Sequence, residues 1–251
     1  MSYLIAVTGK GGVGKTTVSS LIVSQLVALG KKPVLAIDAD PNSCLDAALG
    51  VQVEKTVGSV REEAKTEAAK GMSAGISKQD LLQMKISESL VESAGFDLIA
   101  MGRPEGAGCY CYANNVLKSV IGKLSGQYPY VVLDNEAGLE NLSRRIVQKV
   151  DMLVMVSDQS NAGLETLKRL YALADEMDIK YDKLLIVVNR MRSDDIPAKA
   201  LKVKTATHAD DVLGLPDDLA LAALADAGES FGSLADDNAV IKKINDLVKD
   251  I

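Results

Sequence analysis

Nine residues near the start of the chain, Gly9-Lys10-Gly11-Gly12-Val13-Gly14-Lys15-Thr16-Thr17, have the types and the spacing to bind a phosphate chain. They fit the pattern G-x-x-x-x-G-K-[ST]. Its glycines let backbone N–H groups curl around an anion, its lysine reaches the terminal phosphates, and its hydroxyl residue serves Mg²⁺. Gly11, Gly12, Val13, Gly14, Lys15, Thr16 and Thr17 are therefore candidate nucleotide contacts, with Lys15 also catalytic and Thr16 also a Mg²⁺ ligand. Lys10 is not required by such a loop. On its own it reads as a solvated side chain on the rim.

Two further sets of carboxylates follow apolar runs. Pro33-Val34-Leu35-Ala36-Ile37 reads as a buried parallel strand that delivers Asp38 and Asp40 to its C-terminal end, where open α/β sheets bind ligands. The plain alternative is that Asp40-Pro41 only starts a turn. Pro129-Tyr130-Val131-Val132-Leu133 ends at Asp134, the Walker B position, which would bind the Mg²⁺ shell. Asn135-Glu136-Ala137-Gly138 then forms a switch whose glycine supplies a mobile backbone for sensing a γ-phosphate.

The third chemical feature is Cys109-Tyr110-Cys111, in the glycine-rich stretch after the strand Phe96-Asp97-Leu98-Ile99-Ala100-Met101. The pair reads as a metal site or as a reactive, redox-active pair. Two thiolates do not close a soft-metal site that wants four ligands, but two chains related by a two-fold axis would supply four. Cys44 reads as a small buried residue rather than a ligand.

The elements that must position these groups alternate. The helical spacing of Val18, Leu21, Ile22, Gln25, Leu26 and Leu29 follows the strand Tyr3-Leu4-Ile5-Ala6-Val7, setting a helix N-terminus against the phosphates. Residues 59–70 read as an exposed helix, and Asn114 or Asn115 as the cap of another running through Leu124. Residues 152–156, 163–177 and 183–188 read as strand, helix and strand. This rhythm predicts an α/β fold: a doubly wound, mostly parallel sheet with helices on both faces, in a single domain over residues 1–251. Asn189-Arg190 closes the last of these strands, as a turn or as part of a binding site. The run Val240, Ile241, Ile244, Leu247, Val248 and Ile251 forms a helical face. Its lysines are balanced by Asp246 and Asp250 and it carries no aromatic residue, so packing on the sheet is favoured over a membrane anchor.

Composition sets outer bounds. The 251 residues carry 28 basic against 34 acidic side chains, a net charge of −6, which argues against nucleic-acid binding through a generally basic surface. No apolar run nears the roughly 20 residues needed to span a membrane, and no signal pattern precedes the first strand, so a cytoplasmic protein without membrane attachment is expected. Three cysteines suit a reducing compartment. One histidine excludes a poly-histidine metal site.

The phosphate loop with its early lysine resembles the deviant Walker A motif of the family that includes septum-positioning and plasmid-partition ATPases and the nitrogenase iron protein. That resemblance implies ATP and Mg²⁺, and a homodimer in which Lys10 reaches the partner's nucleotide. It also implies that Asp40 orients the attacking water, that Asp38 lies near Mg²⁺, and that Asn189 reads the adenine edge, with Pro216 and Asp217 as the other wall of the base pocket. The addition of Asp38-Ala39-Asp40-Pro41-Asn42, Gly108-Cys109-Tyr110-Cys111 and Asp134-Asn135-Glu136-Ala137-Gly138 narrows the likeness to the CooC-type nickel-insertion ATPases. These mature carbon monoxide dehydrogenase. The resemblance thus implies Ni²⁺ or Zn²⁺ held by Cys109 and Cys111 across the dimer, and a client that is carbon monoxide dehydrogenase or the related acetyl-CoA synthase. A nitrogenase-iron-protein reading fails because residues 134–150 contain no second cysteine. The alternative is a positioning or redox-switch ATPase whose cysteines sense metal or oxidant.

Overall fold

A computed structural model describes residues 2–69, 84–103, 118, 122, 124–139 and 149–251. Cys109 and Cys111 lie outside the described residues, as does the helix start expected at Asn114 or Asn115. Eight strands form one sheet: β1 (Tyr3–Gly9), β2 (Val34–Asp38), β3 (Val91–Glu92), β4 (Phe96–Ala100), β5 (Tyr130–Asp134), β6 (Lys149–Asp158), β7 (Lys180–Met191) and β8 (Asp211–Pro216). Their order is β3-β4-β2-β5-β1-β6-β7-β8. Every pairing is parallel except that of the short edge strand β3 with β4.

The alternation of apolar side chains along the central strands divides the core in two. From β1, Leu4 and Ala6 face one side with Leu35, Ile37, Val131 and Leu133, where α4 (Asn161–Glu176), α5 (Ala198–Thr207) and α3 (Val57–Ala69) cover them. Ile5 and Val7 face the other side, under α1 (Lys15–Ala28), α2 (Leu45–Leu49) and α7 (Ala239–Val248), with Leu221 and Leu224 of α6 (Leu219–Ala227) packed against the same cluster. A sheet buried on both faces is the setting that all-parallel strands require. The doubly wound α/β architecture expected from the sequence is present.

Helix α1 is buried nearly all round, because the sheet lies under it and α7 over it. Its last expected face residue, Leu29, is instead exposed. The helix ends at Ala28, and Leu29 is the capping residue beyond the covered turns. The C-terminal α7 buries Val240, Ile241, Ile244 and Val248, packing on both α1 and β8 as its apolar face predicts. Helix α3 begins at Val57 with a reciprocal cap: Thr56 N–H donates to Ser59 Oγ and Ser59 N–H to Thr56 Oγ1. Its Val57, Val60 and Ala64 are buried, so this helix has a packed face and is not exposed all round.

The sequence reading missed β8. Its string Asp-Val-Leu-Gly-Leu-Pro carries a glycine and a proline and lacks the long apolar run of the central strands. It is an edge strand, where both residues are tolerated. No helix among the described residues is long and apolar enough to cross a membrane.

Candidate nucleotide and switch site

The site forms where β1, β2 and β5 end together. Their register sets Val7 and Asp38 directly beside Asp134, so the phosphate loop after β1 and the two carboxylates are neighbours by topology. The loop turns at Gly14, whose φ of +94° lies in the left-handed region. A Cβ at Gly14 would meet the Asn189 side-chain nitrogen at 2.3 Å, so both backbone conformation and space demand glycine here. Helix α1 then starts at Lys15, placing its N-terminus and the free N–H groups of its first turn at the loop. Lys15 is only 9% exposed, and its Nζ donates to the Lys10 carbonyl at 3.3 Å, spanning the loop in which a phosphate chain would sit.

Asp134 is buried and accepts from two hydroxyls of α1: Thr16 Oγ1 at 2.7 Å and Ser19 Oγ at 3.0 Å. Burial pushes its carboxyl up to about 7. The neighbouring Asp38 charge pushes the same way, while the two hydroxyls and Lys15 pull against both. Asp38 is pushed up to about 6, also chiefly by burial, against the N–H groups of Leu45, Asp40 and Cys44. Two buried carboxylates one strand apart, with a threonine hydroxyl on one of them, form an all-oxygen donor set suited to a hard divalent cation. The raised carboxyls show the charge deficit that such an ion would relieve. Thr16, Asp134 and Asp38 therefore fit Mg²⁺.

Asp38 also organises the loop that follows it. Its Oδ1 accepts from Asp40 N–H at 3.0 Å, and its Oδ2 from Cys44 and Leu45 N–H at 2.9 and 3.0 Å. Asp40 stands at the open side of this loop, half-buried, its Oδ1 held by the backbone and side chain of Asn42. Cys44 is exposed, contrary to its reading as a buried residue. Helix α2 takes Leu45, Ala48 and Leu49 inward, which turns the residue ahead of it outward. Partial desolvation and the charges of Asp38, Asp40, Asp46 and Asp134 raise its thiol pKa.

The segment from Asn135 to Gly138 is tied to the first strand. Gly138 N–H donates to the Gly9 carbonyl at 3.1 Å, and Thr8 Oγ1 donates to the Gly138 carbonyl. Asn135 donates through both its backbone N–H and its Nδ2 to the Val7 carbonyl, at 3.1 and 2.9 Å. Its buried Oδ1 has no hydrogen-bond partner among the described residues. Ser19 and Thr8 were not singled out in the sequence, and Asn135 was read only as part of the switch that follows Asp134. Ser19 follows Thr16 by three residues on one helical face and could have been found by that spacing. Thr8 and Asn135 carry no such signal.

On the far side of the phosphate loop, Asn189 is 5% exposed and donates through Nδ2 to the Val13 carbonyl at 2.9 Å, while its Oδ1 accepts from Arg190 N–H. Asn189 thus braces the loop. Beside it lies an open cleft of about 530 Å³ lined by Asp158, Gln159, Ser160, Arg190, Arg192 and Asp217, at the ends of β6, β7 and β8. Asp217 N–H donates to the Met191 carbonyl at 2.8 Å, which holds Asp217 at this cleft with Pro216 next to it in the chain. The structure therefore gathers Gly11 to Thr17, Asp38, Asp40, Asp134 and Asn189 around one loop, with Pro216 and Asp217 beside it. Lys10 is exposed on the rim.

Residues 2–187 match the family model described as an AAA domain. The chain belongs to the AAA-domain family of P-loop ATP-binding proteins. Among its relatives, an uncharacterized ATP-binding protein of Methanocaldococcus jannaschii is 42% identical over 99% of this chain and 98% of its own. The carbon monoxide dehydrogenase accessory protein CooC of Rhodospirillum rubrum is 31% identical, over 92% of this chain and 90% of its own. The fold is that of the cell division ATPase MinD of Pyrococcus furiosus, with a TM-score of 0.68 at 19% identity, covering 100% and 99% of the two chains. It is likewise that of MinD of Pyrococcus horikoshii, solved with Mg-ADP, with a TM-score of 0.68 at 21% identity over 99% and 97%.

Proposed function

We propose that this ATPase is a homodimeric metallochaperone that loads nickel into carbon monoxide dehydrogenase, coupling ATP hydrolysis to metal binding and release at Cys109 and Cys111. The observation that carries this reading is the 31% identity to CooC over nearly the full length of both chains, in a sequence that also holds a Cys-x-Cys pair. Neither septum positioning nor plasmid partition calls for that pair.

The chemistry follows from the residues around the phosphate loop. Water attacks the γ-phosphorus, the bond to the β-phosphate oxygen breaks, and the water proton leaves with the phosphate product, giving ADP. Lys15 and the loop N–H groups bind the β- and γ-phosphates, and Lys10 of a partner chain adds a second positive charge. Asp40 positions the water. Thr16 and Asp134 hold Mg²⁺ with Asp38 beside them; when bound, the ion neutralises charge on the phosphate oxygens. Asn189, Pro216 and Asp217 border the base. Nickel is cargo, not a resident ion: four thiolates from two chains would take it, and opening of the dimer after hydrolysis would pass it on.

The test is activation of nickel-free carbon monoxide dehydrogenase by Ni²⁺ with the protein, with and without ATP. Activation should require ATP and both cysteines, and should fail with Asp40→Ala. Nickel-free acetyl-CoA synthase in parallel distinguishes the two clients. ATP hydrolysis with no activation of either would move the protein to a positioning or redox-switch role.

A further inference from the structure

Arg103 stands just beyond β4, against the loop that carries Asp40. Its Nη2 donates to Asn42 Oδ1 at 2.5 Å. Asn42 in turn donates to Asp40 Oδ1 twice, from its backbone N–H at 2.8 Å and from Nδ2 at 3.0 Å. The amide is thus a two-sided bridge, with its oxygen held by the guanidinium and its nitrogen holding the carboxylate. That polarity is self-consistent, because a donor on the oxygen fixes which end of the amide faces Asp40. A charged donor also makes the outer bond the stronger kind.

The origin of the Arg103 side chain is anchored as well. Met101 N–H donates to the Asp38 carbonyl at 2.8 Å, and the Met101 carbonyl accepts from Gly58 N–H at 2.9 Å. Gly102 has φ +62°, and a Cβ there would lie 2.4 Å from the Thr56 Cβ, so the chain passes against Thr56 where only glycine fits. The segment 101–103 therefore grips the Asp38–Asn42 loop at both ends, by backbone at Asp38 and by side chain at Asn42. We propose that Arg103 is a positioning residue for ATP hydrolysis, which acts through Asn42 to orient the Asp40 carboxylate toward the attacking water. This rests on the reading of Asp40 as the group that positions water. The bond runs to the loop of Asp40 and not to the phosphate loop, so the residue serves turnover and not nucleotide affinity.

The experiment measures kcat and KM for ATP, ADP affinity by a fluorescent analogue, and Tm, for Arg103→Ala, Arg103→Lys, Asn42→Ala, the double variant Arg103→Ala/Asn42→Ala, and Asp40→Ala. Arg103→Ala should lower kcat about five- to tenfold, as loss of one charge-assisted bond implies, with KM and ADP affinity within about twofold of wild type. Arg103→Lys should recover part of the loss. The double variant should be no slower than Asn42→Ala alone, because both changes break one relay. Wild-type kcat in Arg103→Ala, a loss confined to KM or to Tm, or multiplicative losses in the double variant would overturn the proposal. If Asp40→Ala is inactive while Arg103→Ala is not impaired, only the Arg103 role fails. If Asp40→Ala turns over normally, the Asp40 reading fails and this proposal with it.

Discussion

Among the described residues, Asp40 and Lys10 are two whose surroundings leave them available for chemistry. Asp40 is held by Asn42 through one oxygen, at the open side of its loop, and Lys10 is exposed on the rim. Both can act without first breaking a buried bond. Asp40→Ala should keep ATP binding and lose turnover by about 10²-fold or more, since orienting the water matters only in the transition state. Size-exclusion chromatography with ATP should then show this variant held as a dimer; equal loss of binding and turnover would make Asp40 a structural residue. Lys10→Ala should bind ATP normally and lose hydrolysis by about 10²–10³-fold, the scale of removing one group that stabilises developing charge. Unchanged hydrolysis would reject its reach across the dimer.

At the scale of elements, the phosphate loop is held by what surrounds it. Helix α1 carries Lys15, Thr16 and Ser19 to the site, and α7 covers α1 through Val240, Ile241, Ile244 and Val248. Ile244→Ala, at a fully buried position, should cost about 2–5 kcal/mol by lost burial and the cavity left behind, read as a fall in Tm without a change in ATP affinity of the folded protein. A change under about 0.5 kcal/mol would mean that α7 does not stabilise α1. The parts of this arrangement that were legible in the sequence are those with a local signature. Gly14, Lys15 and Thr16 have fixed spacing, Asp38 and Asp134 end apolar strands, and α7 shows one clean face. The parts that were hidden depend on distant partners. Asn189 braces Val13, 176 residues away in sequence. Thr8 and Asn135 hold the segment from Asn135 to Gly138 through backbone carbonyls that any residue could supply. Cys44 was misread because burial of a small residue beside a short helix depends on which way that helix turns.

For the whole molecule, the proposed function needs a second chain twice: for Lys10 at the nucleotide and for half of the thiolates at the proposed metal site. The phosphate loop, its helix and its carboxylates are assembled within one chain, whereas in the proposed function one Cys-x-Cys pair would supply two of the four thiolates that a soft metal wants. A two-fold dimer closed by ATP would complete the set and tie metal occupancy to the nucleotide. The most direct measurement is equilibrium dialysis with Ni²⁺ and with Zn²⁺, in the presence of ATP, on the wild type and on Cys109→Ser and Cys111→Ser. The account predicts one metal per two chains, with affinity lost in either variant while ATP binding is kept. One tightly bound metal per single chain, or unchanged affinity in the serine variants, would contradict it.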